Sequence, residues 1–186
     1  MGKKEKQKPT EVDEQYQNSW LRNFVARFLF PHPNSSYDVN SHRGELMWVP
    51  KDRSVRKRLM QAELDDTYNE TFSSIPPEQL QDSIPCMFLP YHSARYILLF
   101  LHGNAEDIGR CHSFLNICRD QFQCHVLAVE YPGYGICPGS PSEPAFFSAV
   151  EAVFEFVEHD LRWPQDSILV MGRSIGTGSA LKLAQG

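Results

Sequence analysis

This sequence predicts a doubly wound, mostly parallel α/β sheet, on three observations. Short apolar runs alternate with amphipathic stretches of helical length through the second half of the chain. Two of these runs end in glycine-bearing turns, and the last turn reads Gly172-Arg173-Ser174-Ile175-Gly176, between an apolar run and a helix start rich in small residues. Alternation of this kind implies right-handed crossovers and parallel strands, with reactive groups gathered at the carboxyl ends of the strands.

The elements follow in chain order. Residues 95–101 form a near-continuous apolar run, expected for a strand buried on both faces. Residues 106–122 predict a helix and 124–131 a second buried strand. Residues 143–161 predict a longer amphipathic helix: Phe146, Phe147, Val150, Val153, Phe154 and Val157 recur at helical spacing, and Ser142 stands as N-cap. Residues 167–171 predict the final strand and 177–185 the helix after it.

The chemistry is expected at the two glycine-bearing turns. In a strand-to-helix elbow, Gly172 and Gly176 remove Cβ atoms that would clash and leave the Ser174 hydroxyl exposed above the sheet, so Ser174 is the candidate nucleophile. The same residues also suit a plain glycine-rich helix start capped by serine. At the end of the 95–101 strand stands His102-Gly103-Asn104-Ala105. Glycine there permits close approach, and the backbone N–H groups of Asn104 and Ile175 are the candidate oxyanion hole. Gly103 and His102 support that loop; a competing role for His102 is that of catalytic base.

The run from Leu101 to Asp107, the strand exit from Glu130 to Gly135, the helix entry from Gly139 to Glu143 and the elbow from Gly172 to Gly178 together resemble the α/β-hydrolase superfamily. Within it the chain is most similar to the membrane-associated serine hydrolases that include the α/β-hydrolase-domain-17 depalmitoylases and their Bem46-like relatives. The resemblance is good from Ile84 onward. It is looser over Phe30 to Tyr37 and Trp48-Val49-Pro50, which look like the family's entry segment and first hairpin. It implies a serine hydrolase acting on an ester or thioester, protein depalmitoylation among them, or on an amide. In that superfamily the triad runs Ser, then Asp or Glu, then His. The sequence stops twelve residues after Ser174, so the resemblance implies a sheet incomplete at the C-terminus, with acid and base beyond Gly186 and roughly 100 further residues to complete the fold. The chain by itself is then expected to be inactive. The alternatives are an inactive, membrane-docked scaffold and a truncated, non-functional product. The relatives' N-terminal cysteine cluster has no counterpart before Cys86.

The net charge of −5 gives no reason to expect nucleic-acid binding. The charge is unevenly spread, with twelve Lys+Arg against seven Asp+Glu in residues 1–60 and six against sixteen in the remainder. Residues 1–36 are expected to form a basic segment with an amphipathic helix, in which Trp20, Leu21, Phe24, Val25, Phe28 and Leu29 share a face behind Lys3, Lys4, Lys6 and Lys8. That helix either lies on an anionic membrane surface or packs on the body of the domain. Residues 37–186 form the partial hydrolase domain, with 51–83 expected as an irregular, solvated insertion carrying a turn of helix near Glu78.

Five cysteines without C-x-x-C spacing fit a reduced, cytoplasmic setting, peripheral to membranes where the N-terminal segment docks. Cys111-His112 and Cys124-His125 carry the residue types of zinc ligands, but burial is the better account of their spacing, so no metal site is assigned. The glycines from Gly133 to Gly139 lack dinucleotide or phosphate-loop spacing, and no cofactor is expected.

Overall fold

The computed structural model describes residues 33–64 and 82–185. The expected N-terminal amphipathic helix and the turn near Glu78 lie outside the described residues. Five strands form one sheet: β1 (Leu46–Pro50), β2 (Ser83–Leu89), β3 (Ile97–Leu101), β4 (His125–Val129) and β5 (Ile168–Gly172). Their spatial order is β1-β2-β4-β3-β5. The β1–β2 and β2–β4 pairs are antiparallel, whereas β4–β3 and β3–β5 are parallel. Only β2 therefore runs against the rest, and the sheet is mixed while most of its strands share one direction.

Among the described residues, four α-helices accompany it: α1 (Arg53–Leu64), α2 (Ile108–Phe122), α3 (Glu143–Glu155) and α4 (Gly176–Leu183). Side chains of successive strand residues point to opposite faces, and this alternation divides the interior into two cores. Ile97, Leu99, Leu101, Leu127 and Val129 pack with Phe146, Val150 and Val153 of α3. Leu98, Phe100, Val126 and Ala128 pack with Ile108, Cys111 and Leu115 of α2. Helices thus cover both faces, as the run-and-turn pattern predicts. Each fully buried Leu, Ile or Val contributes about 1.5–3 kcal/mol through loss of apolar surface from water.

The helix starts have local causes. Asp107 caps α2, its carboxylate accepting from the Arg110 N–H at 2.8 Å. Ser142 caps α3, accepting from the Ala145 N–H at 3.3 Å. Helix α3 is shorter than 143–161: past Glu155 it loosens into a π-helical turn, Phe156–Asp160, where the Leu161 N–H reaches the Phe156 carbonyl at 2.9 Å.

The reading of 51–83 as irregular is corrected over its first part, because Arg53–Leu64 is helical. Arg56, 1% exposed, makes the difference. Its guanidinium donates to Asp160 at 2.5 Å, to Glu155 at 3.1 Å, and to the Pro50 and Lys51 carbonyls at 3.0 and 2.9 Å. A basic run that reads as solvent-facing is pinned to the body by one arginine.

Candidate active site

The strand register assembles the site. Leu101 lies opposite both Val129 and Gly172, so β3, β4 and β5 end in line. The residues that follow, His102, Glu130 and Arg173, therefore emerge side by side at one edge. This is the carboxyl edge of the parallel strands, where open α/β sheets place their ligands.

The elbow has the geometry its glycines require. A Cβ on Gly172 would lie 2.5 Å from the Gly176 carbonyl oxygen and 2.7 Å from the Thr177 Cα. One on Gly176 would lie 2.8 Å from the Leu101 carbonyl carbon. Between them Ser174 has φ 52° and is exposed. A non-glycine residue in this left-handed region costs roughly 1–2 kcal/mol. Ser174 does not cap α4: Ile175 occupies the N-cap position, without a side-chain cap bond. The turn is closed instead by the Gly176 and Thr177 N–H groups, donating at 3.0 Å to the Arg173 and Ser174 carbonyls.

The His102–Asn104 loop lies against the elbow. The Cβ position of Gly103 is 3.6 Å from both the Ser174 Cβ and the Arg173 carbonyl oxygen. Glu106 ties the two together, accepting from the Gly103 N–H at 3.3 Å and pairing with the Arg173 guanidinium. That guanidinium also stacks over Phe100 and Phe114, 5.6 and 5.3 Å from their ring centres. Asn104 is held by its side chain, whose Oδ1 accepts from the Tyr134 hydroxyl at 2.7 Å and the Ala105 N–H at 3.1 Å.

His102 is fully buried, and both ring nitrogens are occupied. Nε2 meets Glu130 Oε1 at 2.7 Å and Nδ1 meets the Gly103 carbonyl at 2.9 Å. Both ring nitrogens are therefore engaged with oxygen partners inside the protein, and neither is directed at the Ser174 hydroxyl. Among the described residues no side chain hydrogen-bonds the Ser174 hydroxyl.

Glu130 is the residue the sequence did not single out. Fully buried at the end of β4, it also accepts from the Tyr37 hydroxyl at 2.9 Å, the Ile108 N–H at 3.1 Å and the Tyr131 N–H at 3.2 Å. Burial, followed by the Glu130 charge, raises the Tyr37 hydroxyl far above the ordinary tyrosine range and the Tyr134 hydroxyl to about 12. An acidic residue closing an otherwise apolar strand was the available signal. Beside the elbow, a cavity of about 490 Å³ is lined by Phe146, Phe147, Ile175 and Lys182, among others.

A Gly-x-Ser-x-Gly elbow with its serine raised between a parallel strand and a helix, facing a His-Gly loop, is the arrangement of the α/β-hydrolase fold, and this chain is similar to proteins of that class. Its relatives carry that name. Over 161 residues the chain is 37% identical to the α/β hydrolase domain-containing protein aho-3 of Caenorhabditis elegans, covering 86% of this chain and 47% of that protein. Over 100 residues it is 35% identical to the human α/β hydrolase domain-containing protein 17C, covering 53% of this chain and 30% of that one. The chain thus spans less than half the length of these curated relatives. Among solved structures, an α/β serine hydrolase homologue from Coxiella burnetii aligns with TM-score 0.46 at 19% identity, over 55% of this chain and 51% of that one. No family model matches. No helix among the described residues is long and apolar enough to cross a membrane.

Proposed function

We propose that Ser174 is the nucleophile of a serine hydrolase that acts on an acyl ester, thioester or amide. The observation that carries this is the left-handed Ser174 backbone in an elbow whose flanking glycines admit no Cβ, with Gly103 of the facing loop against it. In this reading the serine oxygen attacks the acyl carbon and the carbonyl electrons move onto oxygen. The Asn104 and Ile175 N–H groups stabilise that oxyanion; its collapse expels the alcohol, thiol or amine, which takes the proton that the general base removed from the serine, and water then hydrolyses the acyl-serine to the free acid and Ser174. His102 and Gly103 hold the oxyanion loop, and Glu106 and Arg173 keep it against the elbow. The acid and base come from outside the described residues, since the His102 ring is committed elsewhere.

The apolar walls of the cavity at Ile175 suit an acyl chain, and protein depalmitoylation is the finer assignment that the resemblance supports. The basic N-terminal segment would bring the domain to an anionic membrane surface, where acylated substrates reside.

An active-site-directed fluorophosphonate tests the nucleophile. Covalent labelling is expected in a chain that includes the triad partners, and Ser174→Ala is expected to abolish it. Equal labelling of both proteins would remove Ser174 from the mechanism.

A further inference from the structure

We infer that His42, Glu45 and His112 form a Zn²⁺ site that clips the segment before β1 to helix α2. One ligand atom from each of the three side chains lies within 4.8 Å of the others. The contacts run from Glu45 Oε2 to His112 Nε2 at 2.8 Å and from Glu45 Oε2 to His42 Nδ1 at 3.8 Å. A tetrahedral zinc with bonds of about 2.0–2.2 Å holds its donor atoms about 3.4 Å apart, and the two measured separations straddle that value. Closing around the ion therefore needs rearrangement of the side chains alone, since all three donor atoms already lie within 4.8 Å of one another.

Both arms of the site are fixed by the backbone. His42 and Glu45 belong to one turn, in which the Glu45 and Leu46 N–H groups donate to the His42 carbonyl at 2.9 and 3.1 Å. His112 sits in the first turns of α2, whose start is capped by Asp107. The two imidazoles face each other with ring centres 4.3 Å apart.

Without a metal, the His112 Nε2 position is in conflict. It faces the Glu45 carboxylate and also the Asn116 Nδ2 at 3.2 Å. A proton on Nε2 suits the carboxylate only, and a lone pair there suits the amide donor only. A cation uses that lone pair together with the carboxylate oxygen, and Asn116 keeps its bond to the His112 carbonyl at 3.0 Å.

Two imidazoles and one carboxylate are a borderline-to-hard donor set that suits zinc. The side chains are between 23% and 30% exposed, so a fourth coordination position opens to water. The cysteines do not compete for the ion. All five are buried, and none belongs to the cluster.

The test is a titration of the whole chain with Zn²⁺ at pH 7.5 by calorimetry, together with Co²⁺ substitution read by absorption. One ion per chain is expected, with a Co²⁺ spectrum of nitrogen and oxygen ligation that lacks a thiolate charge-transfer band. Zinc should raise the melting temperature. His42→Ala, His112→Ala and the near-isosteric Glu45→Gln should each weaken binding by more than about tenfold. Overturning results are no binding, a thiolate band, or undiminished affinity in the variants. If a variant fails to fold, the spectrum and melting shift of the unaltered chain decide the matter by themselves.

Discussion

Glu130 shows how much one side chain can organise. Its carboxylate meets groups from the segment before β1, the His102–Asn104 loop, the start of α2 and its own strand exit. Removing it strands a buried imidazole and a buried hydroxyl, and breaking a buried pair by deleting one partner costs about 3–5 kcal/mol. Glu130→Ala is therefore expected to destabilise the chain by about that amount in urea unfolding, and Glu130→Gln, which keeps the shape and one acceptor, by less. Equal and small losses in both would mean that the hub is relieved by water. Residues of this kind are poorly legible in a sequence. Gly172 and Gly176 announce themselves because a turn that excludes Cβ atoms demands glycine at fixed spacing. A buried acid is defined only by partners up to 93 positions away, and Glu45 meets His112 across 67.

At the scale of elements, β3, α2, β4 and α3 could be read from periodicity, because each buries an apolar stripe, whereas the half-exposed β5 and α4 are marked by the glycines of the elbow between them. Helix α1 could not. Its sequence is mostly basic and polar, and its attachment runs through the Arg56 guanidinium rather than an apolar face. This makes α1 depend on one side chain. Arg56→Ala leaves Asp160, whose side chain is 3% exposed, as a buried charge that keeps only a 3.8 Å contact with Arg53. A loss of about 3 kcal/mol in the unfolding free energy is expected. Early hydrogen exchange in α1 and the Phe156–Asp160 turn should accompany it. Unchanged exchange in both elements would show that α1 is held by something else.

Over the whole molecule, two cores separated by one sheet leave the cysteines inside. Cys111 and Cys137 are both raised from 9.0 to about 12, chiefly by burial and next by the Glu106 and Glu130 charges respectively. A raised value means that the folded state holds its proton more tightly than the unfolded state does. The associated stability is complete below pH 9 and is lost as pH climbs from 9 towards 12. Urea midpoints should therefore hold steady up to about pH 9 and fall steeply beyond it; a flat profile between pH 9 and 11 would contradict the buried thiols. The strand order also fixes an order of assembly. Among the described strands, β5 pairs with β3 alone, so a chain emerging from the ribosome can form the β1-β2-β4-β3 pairings before residue 168 has been added. Ser174, carried in behind β5, thus arrives after the His102–Asn104 loop it faces has its scaffold, and the elbow is laid against a surface that the earlier strands have already built.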